Sequence, residues 1–96
     1  MNDKWIKELV DLIASAKGKG EIEELLTSLL TPRELEEFIK RWQIVKELIE
    51  GRSQRFIRDK IKVAVATVTR GSRELKYGDG TFQKFYKRLY PGKIKS

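Results

Sequence analysis

SQRFIRDKIKVAVATVTRGSRELK, residues 53–76, is the stretch that decides the fold. Its apolar residues recur at helical spacing on both sides of a bend near Lys62, which predicts a short helix, a tight turn and a second helix. The residues expected on the buried side are Phe56, Ile57, Ile61, Val63, Val65, Val68 and Leu75. The outward side consists almost entirely of Arg, Lys, Thr and Gln, which is typical of a helix that enters a DNA groove.

This outward side supplies the predicted contacts with double-stranded DNA. Small and β-branched residues over 64–69 keep the second helix slim enough for the major groove, and their methyl and hydroxyl groups suit thymine methyls and water-bridged contacts. The basic residues could form only a solvated face, but Asp59 and Glu74 alone oppose them between Arg52 and Lys76, which favours phosphate contacts. The predicted DNA-binding residues are Gln54, Arg55, Arg58, Val65, Ala66, Thr67, Thr69, Arg70, Arg73 and Lys76.

The charge of the chain is unevenly distributed. Residues 1–50 carry 8 Lys or Arg against 11 Asp or Glu, a net charge of −3, whereas residues 51–96 carry 13 against 3, a net charge of +10. A basic surface can bind nucleic acids, anionic membranes or acidic proteins. Nucleic acid is favoured as the partner because the helix that is expected to enter a DNA groove lies in the basic half.

The chain lacks two residue types that many catalytic and metal sites use. The chain contains no cysteine and no histidine, which excludes disulfides, thiolate nucleophiles, Cys/His zinc sites and the most common general base. We therefore expect that the protein is not an enzyme and binds no metal and no catalytic cofactor. No apolar run approaches the roughly 20 residues that span a bilayer, and the N-terminus alternates charged and apolar residues, unlike a secretory signal. A soluble, cytoplasmic protein without a membrane partner is expected.

Outside residues 53–76, apolar periodicity predicts four further helices. They span residues 3–16, 21–30, about 32–50 and 81–89, the last after a break at Tyr77-Gly78-Asp79-Gly80. Thr31, Pro32 and Glu34 form the pattern of an N-cap, a proline at the first helical position and a capping box. The long helix carries more apolar residues than one neighbouring helix would cover, so a second chain is expected to bury the excess.

A chain of 96 residues makes one domain at most. The expected parts of this domain, residues 1–96, are dimerisation core helices over 1–50, a helix-turn-helix over 51–77, a C-terminal helix over 79–90 and a loose basic tail over 91–96.

Several short pieces of the sequence carry a resemblance to a known family. They are Leu30-Thr31-Pro32 opening the long helix, Arg41 near its middle, Ile44-Val45 and Glu47-Leu48 continuing to Gly51, Ser53-Gln54-Arg55 opening the helix-turn-helix, and Ala66-Thr67-Val68-Thr69-Arg70-Gly71-Ser72 ending it. In this order and spacing, residues 25–90 resemble the tryptophan repressor family. The resemblance implies an all-α, six-helix fold, an intertwined homodimer, and a transcriptional repressor whose operator binding is activated by L-tryptophan as corepressor.

The resemblance also implies an L-tryptophan site between the long helix of one chain and the recognition helix of the other. Guanidinium groups suit such a site, because they stack on aromatic rings and bind carboxylates in a forked geometry. By this resemblance, Arg41 and Arg70 lie on the two faces of the indole, and Val45 and Gly71 line the indole slot. Thr31 and Arg70 contact the carboxylate, and the backbone around Leu29 and Leu30 lies near the ammonium group. Glu74, three positions after Gly71, also belongs to the implied site.

Two residues depart from the pattern of the family. Lys62 stands in the bend where glycine is common, so the backbone there must be strained or the turn altered. Glu74 stands where many members have a small residue, and it could pair the ammonium group of the ligand or repel its carboxylate. The run from Lys76 to Gly80 resembles a related branch of tryptophan-repressor-like proteins.

The residues leave alternatives open. Arg41 could pair with Glu34 or Glu37 instead of a ligand. Gly71 could be a simple helix break, although close approach of a ligand better explains a costly glycine within a helix. The protein could also be a DNA-binding regulator that does not respond to tryptophan, or a basic helical module that docks an acidic protein or RNA.

Overall fold

In the computed structural model, which describes residues 2–93, the chain forms six α-helices and, over these residues, no strand. The helices are α1 (Asp3–Ala14), α2 (Lys19–Leu29), α3 (Pro32–Ile49), α4 (Gln54–Ile61), α5 (Val65–Tyr77) and α6 (Thr81–Leu89). The predicted all-α, six-helix architecture is thus confirmed. Residues 91–93 of the predicted tail form a turn, and residues 94–96 lie outside the described residues. Within 2–93, no helix is long and apolar enough to cross a membrane.

The described residues divide into two compact units, one up to Glu37 and the other from Phe38 onward. In the first unit, α1 and α2 contain no buried residue. The apolar side of α1 is instead exposed: Trp5 is 69% exposed, and Ile6, Leu9, Val10, Leu12 and Ile13 are exposed with it. An apolar stripe of this size requires a covering surface.

The connection between α1 and α2 differs from the prediction. α1 ends at Ala14 and α2 begins at Lys19, each two residues earlier than expected. Gly18 has a φ of 87°, which glycine adopts without strain. The backbone N–H of Lys17 donates a hydrogen bond to Glu21 Oε1 at 2.7 Å. These two features start α2 within the Gly-rich segment itself.

The predicted capping box at the start of α3 is confirmed. The N–H of Thr31 donates to Glu34 Oε1 at 2.8 Å, and the N–H of Glu34 donates to Thr31 Oγ1 at 3.2 Å. Hydrogen bonding from Thr31, through its backbone first and its side chain second, lowers the pKa of the Glu34 carboxyl. Thr31 therefore has a structural role whatever else it contacts.

The core of the second unit lies where α3, α4 and α5 meet. It consists of Ile44, Ile57 and Val68, against which Leu48, Ile61 and Val63 pack. The predicted burial of Ile57 and Val68 is correct, because both are 0% exposed. The predicted burial of Phe56 and Val65 is wrong, since they are 47% and 51% exposed. Phe56 lies one residue before Ile57, which places it about 100° around the helix from the buried side.

The turn between α4 and α5 depends on an unusual lysine. Lys62 has φ 61° and ψ 56°, the left-handed conformation, and its N–H donates to the carbonyl of Arg58 at 2.8 Å. It is the only residue other than glycine with positive φ within residues 2–93. The expected backbone strain in the bend is therefore present.

Lys62→Gly is expected to stabilise the protein by about 1 kcal/mol, because glycine adopts the left-handed conformation without the Cβ clash. Urea denaturation followed by circular dichroism measures the change. Lys62→Ala is the matched control, since it removes the same charge but keeps Cβ, and it should give no such gain. Equal stability of the two variants would contradict strain at this position.

α6 is joined to α3 and α5 through buried and half-buried groups. Tyr86 is buried, and its hydroxyl donates to Glu50 Oε2 at 2.7 Å. This hydrogen bond, followed by burial, raises the pKa of Tyr86 to about 12. Gln83 Nε2 donates to the carbonyl of Leu75 at 3.1 Å. These contacts hold α6 beside α3 and α5, where its first turn can complete a cavity.

Candidate ligand cavity and basic face

A cavity of about 320 Å³ lies among α3, α5 and α6, entirely within the second unit. Pockets for small molecules commonly span about 300–1,000 Å³, so this cavity suits a ligand of modest size. Its lining combines apolar walls with two guanidinium groups and one carboxylate. The lining residues are Arg41, Ile44 and Val45 from α3, Thr67, Arg70, Gly71 and Glu74 from α5, and Phe82 from α6.

Arg41 lies at the cavity and has no charged partner among residues 2–93. Its guanidinium lies over the ring of Phe38, 5.5 Å from the ring centroid. Among residues 2–93 it forms no ion pair, while Glu37 pairs with Arg33 at 3.8 Å. The salt-bridge alternative for Arg41 is therefore not realised, and its positive charge remains available to a ligand.

Gly71 brings α5 close to α3. A Cβ at this position would lie 3.1 Å from Ile44 Cγ2 and 3.5 Å from Leu48 Cδ1. The tight contact with α3 explains a glycine within a helix without any ligand, which corrects the interpretation drawn from the sequence. Gly71 nevertheless lines the cavity.

The predicted DNA-binding residues lie on α4 and α5, mostly with exposed side chains. Thr69 is half-buried, and its hydroxyl lies 3.0 Å from the carbonyl oxygen of Val65 and 3.2 Å from Gln54 Oε1. Arg58 is also half-buried and pairs with Asp59 at 2.9 Å, so part of its charge is neutralised. The exposed members are Gln54, Arg55, Val65, Ala66, Thr67, Arg70, Arg73 and Lys76, which we call the basic face.

Comparison with known proteins assigns the chain to a family. The sequence model of the family described as Trp repressor protein matches residues 4–90. The chain belongs to the Trp repressor family. It is 45% identical over 74 residues to a Trp operon repressor homolog of Vibrio cholerae, covering 76% of this chain and 71% of that protein. It is 42% identical over 84 residues to a Trp operon repressor homolog of Vibrio campbellii, covering 86% and 84%. No solved structure matches.

Membership of the Trp repressor family supports a regulator of this type. The six helices agree with the fold that the family predicts.

The structure brings together five of the seven predicted ligand-binding residues. They are Arg41, Val45, Arg70, Gly71 and Glu74. Leu30 and Thr31 belong to the first unit and are not among the residues that line the cavity. The resemblance to the Trp repressor family implied a site between the long helix of one chain and the recognition helix of another. The structure groups the α3 and α5 residues around one cavity within a single chain, and the contribution of a second chain stays a prediction.

Sequence reasoning missed three residues of the cavity in this Trp repressor family member. Ile44 lies three residues after Arg41, so helical spacing could have indicated it. Thr67 was assigned only to DNA, although it also lines the cavity. The sequence did not indicate Phe82 as a cavity residue, because only the packing of α6 brings it there. Its ring centroid lies 6.5 Å from that of Trp42.

Glu47 contributed to the family resemblance, but the sequence did not predict its structural role. It is only 4% exposed, yet it is charged. Its Oε1 lies 2.6 Å from Lys60 Nζ, and its Oε2 lies 3.5 Å from Arg52 Nε. Because a buried carboxylate requires such partners, Glu47 ties α4 and the segment before it to α3.

Proposed function

We propose that the protein is a homodimeric, sequence-specific DNA-binding transcriptional repressor whose operator affinity rises when L-tryptophan binds. One observation carries the proposal: the cavity and the basic face share α5. Thr67 and Arg70 line the cavity and also belong to the basic face. A ligand in the cavity therefore acts directly on the helix that would read DNA.

The lining of the cavity supports an aromatic amino acid as ligand. Ile44, Val45 and Phe82 supply apolar walls. The guanidinium groups of Arg41 and Arg70 can stack on an aromatic ring and bind a carboxylate. The family relatives are named Trp operon repressor homologs, which makes L-tryptophan the proposed ligand.

The basic face supports a helix-turn-helix contact with the DNA major groove. Val65, Ala66 and Thr67 at the start of α5 are exposed and small enough to approach base edges. Arg55, Arg73 and the other basic side chains of this face would contact phosphates and set the register. L-tryptophan raises operator affinity to the extent that it binds the DNA-competent arrangement of the helices more tightly than other arrangements.

The exposed apolar residues support the homodimer. Besides the apolar side of α1, the side chains of Phe38 and Ile39 on α3 are exposed. A second copy of the chain would bury these surfaces, as the large apolar patch requires. Leu30 and Thr31 stay in the proposed site as groups that the second chain supplies.

Calorimetric titration with L-tryptophan, followed by DNA selection, tests the proposal. Saturable binding at one site per chain is expected. Duplexes selected from a random pool in the presence of L-tryptophan should then bind much more weakly when the ligand is removed. Absence of heat at millimolar ligand, repeated at a second temperature, would overturn the corepressor assignment.

Glu74 favours a second candidate, a regulator of the same fold that binds DNA without tryptophan. A carboxylate in the cavity opposes the carboxylate of an amino acid unless the ammonium group lies between them. This candidate predicts selected duplexes whose affinity is the same with and without L-tryptophan.

A further inference from the structure

We infer that Glu74 makes a free ammonium group on the ligand a requirement for binding, so that the cavity accepts an α-amino acid and rejects the corresponding acid without the amine. The inference rests on the proposed function, since it takes the cavity as the L-tryptophan site. It assigns Glu74 as the residue that determines specificity at that site.

The charges of the cavity match those of an α-amino acid. Arg70 and Glu74 are one helical turn apart on α5 and both line the cavity. Among residues 2–93 they form no ion pair with each other, and an Arg placed four residues before a Glu is the weaker orientation for such a pair. Both charged residues line the same cavity, and over the described residues each is free for a ligand group of opposite charge.

Glu74 lies in the last turn of α5, and its carboxylate lies beside Gly78. Its backbone carbonyl accepts a hydrogen bond from the N–H of Gly78 at 2.8 Å. Its Oε1 lies 2.9 Å from the position that a Cβ of Gly78 would occupy. The missing side chain of Gly78 therefore leaves space for the carboxylate beside the end of α5. Within residues 2–93 the Glu74 side chain forms no hydrogen bond and no ion pair, so its acceptor capacity remains for a ligand.

An acid without the amine meets a different balance of charge. Its carboxylate would still find Arg41 and Arg70, but the carboxylate of Glu74 would face it without an intervening ammonium group. Two carboxylates within one cavity repel each other, and the lost charge-assisted hydrogen bond weakens binding further. Together these effects predict a loss of about tenfold to 100-fold in affinity.

Calorimetry with the full chain tests the inference, using L-tryptophan and indole-3-propionate, which has the same ring and carboxylate but no amine. The wild-type protein should bind indole-3-propionate at least about tenfold more weakly than L-tryptophan. In Glu74→Gln, the two affinities should approach each other, because L-tryptophan loses its ammonium partner and indole-3-propionate loses the repulsion. Glu23→Gln, an exposed position on α2, removes the same charge and should leave the preference unchanged.

The possible outcomes separate the inference from the proposed function. Equal binding of the two ligands to the wild-type protein, or tighter binding of indole-3-propionate, would overturn the role of Glu74 while leaving the tryptophan response intact. Binding of neither ligand would overturn both. The wild-type comparison decides the inference even where Glu74→Gln proves unstable, which circular dichroism would detect. An unchanged ligand preference in a folded Glu74→Gln variant would also overturn it.

Discussion

Arg70→Ala is expected to weaken L-tryptophan binding by about 100-fold and to abolish the dependence of DNA binding on L-tryptophan. Hydrogen bonds to a charged group are worth about 1.5–3 kcal/mol, and stacking of a cation on an aromatic ring adds about 0.5–2 kcal/mol. Since about 1.4 kcal/mol corresponds to a tenfold change in affinity, loss of both contacts gives this magnitude. The α5 position of Arg70, inside the cavity and exposed on the basic face, makes it the group that joins the two activities.

Arg73→Ala is the matched control for this prediction. Arg73 lies on the same helix and is exposed, but it does not line the cavity. Its removal should weaken DNA binding through lost phosphate contact and leave the calorimetric affinity for L-tryptophan unchanged. If Arg70→Ala bound L-tryptophan as tightly as the wild-type protein, the assignment of the cavity would be wrong. Thermal unfolding of both variants checks that each remains folded.

The resemblance to the Trp repressor family indicated five of the residues that line the cavity, and helical spacing agrees with their grouping. Arg41 and Val45 are one turn apart on α3, and Arg70 and Glu74 are one turn apart on α5, so helical spacing puts each pair on one face. Phe82 could not be found in this way. Its contribution depends on how α6 packs, and helical spacing alone indicates only that an aromatic side chain belongs on an apolar face.

The sequence was less informative where burial depends on a neighbouring helix. Glu47 resembles any charged residue of a long helix, and only the positions of Arg52 and Lys60 in the fold make it a buried partner. Gly71 suggested a ligand, because the approach of Ile44 cannot be seen without the packing of α5 on α3. Phe56 was expected in the core, yet α4 presents only Ile57 of this adjacent pair to the buried side.

Ile57→Ala is expected to lower the free energy of unfolding by about 2–5 kcal/mol. The side chain of Ile57 is fully buried in the core with Ile44 and Val68, so its truncation leaves a cavity among α3, α4 and α5. A domain of this size has little stability to spare, and the upper part of this range would unfold a large share of the protein at 37 °C. Urea denaturation followed by circular dichroism measures the loss.

Two further variants test whether Ile57 is the residue that joins α4 to the rest of the second unit. Ile57→Val removes one methyl group and should cost only about 0.5–1.5 kcal/mol. Phe56→Ala removes a larger side chain from the adjacent position, but Phe56 is half exposed and should cost less than Ile57→Ala. If Phe56→Ala lowered the stability more than Ile57→Ala, α4 would be rotated by about one residue. Such a rotation would also break the contact between Gln54 and Thr69 of α5, so this order of stabilities tests the basic face as well as the core.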